Sequence, residues 1–442
     1  MYIADLTRKT GSFLACACLF LAVAVAIAPV AHARDSAASP SALECDLRFT
    51  KHDLAKFQKQ LEQYLRWNEQ ANGKAWLETT DFISLQAAAI PVSTLNVQMA
   101  PDLNLDIAQA LGLGTNTWLI PKHPYNTDAK VAFSNHPAVA TLRARFMASR
   151  SLIIWPEGHT PFSIKVGTNF PHRTDQQDYK ALMEKDIRVG IPFSQMVAQL
   201  DASMKPAEHI KILREVLALS DPKTGEGAMV RDLSPLLDGH YYLPAFSIPY
   251  VGQEIAAKFG QPFKIFWKEH YAKALGRAKA ELLLRYGLQF DEANAQNIVA
   301  QLDENMMPTG RFVFFDLSGM TQVEQFFRTP EMRVFVSRSV KDMTPFLKPD
   351  SHNSVWQMDE GGVPVDVTLE WQRAHDEAYV AALRAALPQI PALKPPGQTV
   401  AGPPPSFDSA GEARAIGEFL STAGGQSALA KYRADNLQRK GA

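Results

Sequence analysis

Cysteine is scarce in this chain of 442 residues, which has only three. Cys16 and Cys18 fall in an apolar N-terminal run, leaving Cys45 as the single thiol beyond it. One thiol closes no intramolecular disulfide, so stability has to come from a buried core, which about four hundred residues can supply. An excess of one charge is lacking too: 45 Lys and Arg face 46 Asp and Glu, for a formal net charge of −1. That excludes an overall field that would gather nucleic acid or an anionic membrane. The 11 histidines show no HExxH or paired-ligand spacing, which argues against a catalytic zinc site. GxSxG, GxxxxGK(S/T) and GxGxxG are absent as well, removing the nucleophile elbow, the phosphate loop and the dinucleotide fingerprint. No internal repeat is visible. What remains is an ordinary globular composition with 46% hydrophobic residues.

The N-terminus is more informative. Arg8 and Lys9 precede an apolar run from Phe13 to Val30, followed by Ala31-His32-Ala33. A basic start, an apolar stretch and a small-x-small triplet are the three parts of a secretory signal peptide, so residues 1–33 are expected to be removed and the protein to be periplasmic or secreted. The alternative is a retained membrane anchor, because about eighteen apolar residues nearly span a bilayer. After cleavage no stable membrane span is expected. Residues 34–44 are small and polar and read as a spacer.

From Asp53, the positions of Leu54, Phe57, Leu61, Tyr64 and Leu65 follow helical spacing. The runs "TWLIP" (117–121), "SLIIW" (151–155) and "FSIKV" (162–166) are bounded by turn residues and read as strands. Pro206 opens "PAEHIKILREVLAL", in which Ile210, Leu213, Val216 and Leu217 fit a helix. A longer helix is expected over residues 263–286, stopped by Gly287. Two further strand-like runs, "NIVAQLD" and "GRFVFFDL", are joined by "ENMMPTG" and predict a hairpin. Residues 371–387 read as helix. "PQIPALKPPGQTVAGPPPS" then packs seven prolines into nineteen residues, as an extended linker or wrapped tail would. The expected divisions are an N-terminal part with a lysine strand (45–250), a helical C-terminal part with the hairpin (251–388), a Pro-rich linker (389–406) and a polar helical tail (407–442).

Chemistry concentrates on that hairpin. Glu292, Gln296, Asn297 and Asp316 surround it, and an Asn before its first strand can approach an Asp after its second. Hard oxygen donors of this kind suit magnesium, and two-lobed kinases hold metal-bound phosphates with an Asn and an Asp so placed. The same residues also fit a plain polar hairpin, with Asn capping a turn and Asp facing water. Lys165 lies in a strand between apolar neighbours and needs a partner if buried, for which a phosphate is suitable. Just upstream, Arg145, Ser149, Arg150 and Ser151 offer groups for a carboxylate or phosphate, or a solvated loop. "VRDLSP" (230–235) looks like a kinase catalytic loop, but no Asn follows at the required distance.

In order and approximate spacing, "LIPKHPYN", "ASRSL", "SIKVGTNF", "FDEANAQN" and "FFDLSG" resemble motifs of the IucA/IucC family, the NRPS-independent siderophore synthetases, from about residue 117 to 320. The resemblance implies an α+β fold with a kinase-like two-lobed nucleotide-binding core, small mixed or antiparallel sheets and many helices. It implies ATP and Mg2+ as cofactors, with a small-molecule carboxylate activated as an acyl-adenylate for attack by an amine or hydroxyl. By position, Lys165, Arg150 and Asp316 would be catalytic. Ser149, Ser151, Glu292, Gln296 and Asn297 would bind nucleotide, His123 and Arg173 substrate, and Asn297 and Asp316 the metal. Three motif positions differ: Asn294 stands for a histidine, Ala148 for a serine, and Phe315 for the arginine before the aspartate.

Three functions are compatible with this pattern. One is an ATP-dependent carboxylate-amine ligase; another is an exported, non-catalytic binding or accessory protein for an anionic metabolite or siderophore. The third is a secreted phospho- or nucleotidyltransferase.

Overall fold

Strands Ser151–Ile154 (β5), Phe162–Val166 (β6) and Glu215–Ser220 (β8) are buried along their whole length. Such runs belong in the interior of a sheet covered on both faces, and that is where they lie. The structure is a computed structural model. It describes residues 51–72, 82–113, 116–124, 126, 133, 136–148, 150–157, 159–168, 182, 189–290, 294–323, 340–341, 362–390 and 409–437, all within one compact unit, Phe49–Ala442.

The remaining strands of the large sheet are Ile83–Pro91 (β1), Asn96–Met99 (β2), Thr117–Pro121 (β3), Ala138–Ala148 (β4) and Gly227–Asp232 (β9). Their order is β2-β8-β9-β6-β5-β4-β1-β3, and each neighbouring pair is antiparallel. A second sheet contains Ile210–Ile212 (β7), Tyr241–Pro244 (β10), Ile298–Leu302 (β12) and Pro308–Phe314 (β13), in the order β10-β12-β13-β7. Leu288–Phe290 (β11), Met320–Val323 (β14) and Val340–Lys341 (β15) form a third. With helices on these sheets, the class is α+β.

One expected helix is absent. The stretch after Pro206 forms β7 and β8, and the reason is burial: all six residues of "EVLALS" are buried, so its apolar positions mark no single helical face. A short continuous apolar run fits strand and helix equally well by periodicity. Because β8 pairs with β2 and β9, the large sheet has eight strands, more than the small sheets expected.

Alternation sorts the large sheet's side chains onto two faces. Phe162, Ile164, Val166, Ala228 and Val230 enter one core, with Ile107 and Leu111 of the helical segment that includes Leu105–Ala110. Ser163, Lys165, Met229 and Arg231 therefore point the other way. On that second face helix Lys51–Asn72 (α1) packs through Phe57, Leu61, Tyr64 and Leu65 against Met147 and Ile153, and against Val299 and Val313 of the second sheet. The opposite face of the second sheet, with Ile298, Ala300, Phe312 and Phe314, joins the largest core. One layer thus brings the lysine strand and the hairpin face to face.

The largest core is mostly helical. Helix Phe263–Trp267 runs through a π-helical turn, Lys268–Lys273, into Ala274–Tyr286 and stops at Gly287 with φ 63°, a left-handed cap. Val365–Ala386 packs along it, Trp371 being fully buried. The expected polar tail is two helices, Ser409–Ser421 and Ala423–Asp435, and Ile416, Leu420, Ala428 and Leu429 enter the same core. Among the described residues no helix is long and apolar enough to cross a membrane. Residues 1–33 and residues 391–406 of the Pro-rich linker lie outside the described residues.

Candidate functional site

Lys165 and Asp316 meet. β6 carries Lys165 opposite Ser151 of β5 and Met229 of β9, which aims its side chain at the layer shared with the second sheet. Asp316 follows β13, and its backbone is left-handed, with φ 65°, a conformation that Asp tolerates better than most residues. That turn starts the short helical segment Leu317–Gly319 and presents the carboxylate to the large sheet. Lys165 Nζ donates to Asp316 Oδ1 at 2.8 Å.

A second cation shares the same oxygen. Arg231 Nη2 donates to Asp316 Oδ1 at 2.8 Å, and Ser318 Oγ donates to it at 3.3 Å. Oδ2 accepts no hydrogen bond among the described residues, and the side chain keeps 21% of its surface exposed. Arg231 is only 2% exposed, its guanidinium 5.4 Å from the centre of the Phe315 ring. Its Nη2 and Nε also donate to Glu215 Oε1 at 3.2 and 3.4 Å. Glu215 is fully buried.

The electrostatics follow from this packing. Burial pushes the Asp316 carboxyl upward, but the charges of Lys165 and Arg231, the Lys165 hydrogen bond and the charge of Arg150 outweigh it. They hold Asp316 well below the usual carboxylate range. Burial lowers Lys165, with Asp316 opposing. Burial raises Glu215, with Arg231 opposing. Three cations therefore act on one ionised carboxylate with an open oxygen, an arrangement able to receive a polyanion bearing its own divalent ion.

The other residues implicated by sequence divide clearly. Ser151 is buried at the lysine strand's neighbour. Arg150 lies in the turn before it, where its carbonyl accepts from Val166 N at 3.0 Å, and its charge reaches both Lys165 and Asp316. Asn297 stands at the open end of the hairpin, its carbonyl accepting from Phe315 N at 3.3 Å, so residue 297 lies opposite residue 315, the neighbour of Asp316 in the chain. Gln296 is exposed in the turn Ala295–Asn297. His123 is buried elsewhere: its Nδ1 is 3.0 Å from Thr168 Oγ1, and its ring packs on Phe146, which belongs to the opposite face of the large sheet. Ser149, Glu292 and Arg173 lie outside the described residues. Arg145 is on the right face but pairs with Glu62 at 3.6 Å and lies over Phe82.

Sequence reasoning missed Arg231 and Glu215. Arg231 sits in "VRDLSP", which lacks the Asn that a kinase loop requires, and no linear pattern joins it to Asp316. The usable clue was Phe315, which left an aspartate without its neighbouring arginine.

A magnesium ion fits here only with help from a ligand. Among the described residues no three His, Cys, Asp or Glu side chains form a metal-binding group. One carboxylate with a clear oxygen and an adjacent amide residue is, however, the donor set magnesium uses when phosphates complete its shell.

No family model and no curated protein matches the chain. Among solved structures, it matches the ATP-bound aerobactin synthetase IucA from a hypervirulent pathotype of Klebsiella pneumoniae, with TM-score 0.52 and 14% identity over 76% of each chain. The chain shares a fold with that synthetase. IucC from the same pathotype matches with TM-score 0.48 and 15% identity over 76% of each chain. The petrobactin biosynthesis protein AsbB from Bacillus anthracis matches with TM-score 0.45 and 12% identity, over 74% of this chain and 63% of its own. At such identities the likeness concerns the fold alone.

Proposed function

We propose that this protein binds ATP with magnesium beside Asp316 and acts as a siderophore-synthetase-like ligase. A small carboxylate is activated as an acyl-adenylate, which an amine or hydroxyl then attacks. The observation that carries this reading is the convergence of Lys165 and Arg231 on one oxygen of Asp316, each at 2.8 Å, in a fold shared with an ATP-bound aerobactin synthetase.

In this reading the two parts of the chain, 45–250 and 251–388, act as the lobes of a kinase-like core. Lys165, Arg231 and Arg150 bind phosphate oxygens and stabilise the charge that adenylation concentrates there. Asp316, through Oδ2, and Asn297 hold the magnesium. The ion would neutralise phosphate charge and orient the phosphates. The N-terminal segment directs export in this proposal, which makes the supply of ATP at the final location the point on which turnover depends.

Calorimetry on the purified protein with millimolar ATP and magnesium tests the reading, and absence of binding rejects it. Product analysis with carboxylate and amine candidates separates a ligase, which consumes ATP and forms an amide, from a protein that captures its ligand without turnover.

A further inference from the structure

Glu215 stands directly behind Arg231. It opens β8 in register with Arg231 on β9, and its backbone N–H donates to Ser194 Oγ at 2.8 Å in helix Gly190–Ser203. Oε1 takes two donors from Arg231. Among the described residues Oε2 is buried without a hydrogen-bond partner and fills the space beside Gly190, where an added Cβ would come within 1.8 Å of it. A buried carboxylate oxygen left unpaired is costly, so a role in supporting its neighbour is the natural place to look for compensation.

Arg231 has five donors in a rigid fork. Nε and one Nη2 direction go to Glu215, the other Nη2 direction to Asp316, and Nη1 makes no hydrogen bond among the described residues. The side chain is only 3% exposed, so its orientation is fixed by its neighbours and by the bonds to Glu215 and Asp316.

We propose that Glu215 is a positioning residue that locks the Arg231 guanidinium, so that its unused donors, together with Lys165 Nζ, receive the oxygens of a phosphate-bearing ligand beside Asp316. This rests on the nucleotide reading of the site, and it assigns to Arg231 the ligand contact that position 315, a phenylalanine, does not supply.

Charge and position predict opposite signs, which makes the inference testable. Glu215→Gln removes a negative charge near the site, so net charge alone would tighten anion binding. Loss of positioning would weaken it roughly tenfold, the worth of a charged hydrogen bond. The probes are inorganic triphosphate and ATP, each with magnesium, titrated calorimetrically into the full chain after circular dichroism shows it folded.

Gly190→Ala displaces the carboxylate without changing charge, and Arg231→Lys keeps the charge but loses the fork; both are expected to weaken triphosphate binding. Gly190→Ala combined with Glu215→Gln should lose no more than the larger single effect. Unchanged or tighter triphosphate binding by folded Glu215→Gln, or by Arg231→Lys if Glu215→Gln does not fold, overturns the inference. Wild-type binding of triphosphate but not ATP rejects the nucleotide reading and leaves Glu215 to be decided by the triphosphate series. Wild-type binding of neither rejects both.

Discussion

Arg231 and Asp316 are 85 residues apart in the chain and joined by a 2.8 Å ion pair. Arg231 belongs to the large antiparallel sheet and Asp316 to the end of the hairpin in the second sheet, so this contact ties the two together at the same oxygen that Lys165 holds. The pairing gives Asp316 a structural role beside the ligand-binding role proposed for it, and substitution separates the two.

Asp316→Ala takes from Lys165 the carboxylate it pairs with and leaves Arg231 with Glu215, and should destabilise the protein by about 3 kcal/mol. Lys165→Met leaves Asp316 paired with Arg231 and removes the cost of burying an ammonium, so its loss should stay below about 2 kcal/mol. Urea unfolding of both variants checks the order. A larger loss for Lys165→Met would mean that Asp316 is not the hub of the cluster.

Magnesium and nucleotide should bind together. Asp316 is already neutralised by two cations, and no three-residue metal group exists among the described residues, so magnesium alone has little to gain. Titration with magnesium chloride should give no saturable heat near neutral pH. Adding magnesium should tighten ATP binding at least about tenfold by sharing phosphate oxygens with Asp316.

Acid should weaken the fold through His375. This histidine is fully buried, its Nδ1 3.0 Å from Asp376 Oδ1. Burial, then the charge of Lys279, lower its pKa from 6.5 to about 4 despite Asp376. Between those values the unfolded chain binds the extra proton and the folded one does not, so stability falls as pH drops through that window. The contribution is roughly 3 kcal/mol. Denaturant midpoints of wild type and His375→Asn at pH 7 and 4.5 measure it, and a steep decline unchanged in the variant would assign the effect elsewhere.

Gly276 is required by helix packing. A Cβ there would lie 2.2 Å from the His375 carbonyl oxygen and 3.0 Å from Tyr379 N, so Gly276→Ala should cost more than about 2 kcal/mol by forcing the helices apart, despite alanine's better helix propensity. At Gly310, where φ is +81° and nothing lies within 4 Å, alanine should cost only about 1 to 2 kcal/mol, from backbone strain. Thermal melts of the two variants distinguish crowding from strain.

Local pattern made part of this structure legible. β3 and β6 coincide with the apolar runs that predicted them, and Gly287 stops its helix where expected. The hairpin was also legible, although Pro308 pairs with Leu302 inside the ladder and the turn lies before it. The failure at residues 206–219 came from burial on both faces, which erases the period that separates strand from helix. Lys165 and Asp316 each carried a local clue, a lysine among apolar neighbours and an aspartate ending a hairpin. Arg231 and Glu215 carried none, because their roles come from cross-strand register and from which face of β9 meets the second sheet. His123 had a motif-like neighbourhood, yet its ring belongs to the other face.

Calorimetric titration of ATP with magnesium into wild type, Lys165→Met and Arg231→Lys is the most direct test. The cluster at Asp316 predicts saturable wild-type binding and at least about tenfold weaker binding in both variants, each losing a charge-assisted phosphate contact. No wild-type binding at millimolar ATP, or equal affinity in all three folded proteins, would contradict a nucleotide site at Asp316.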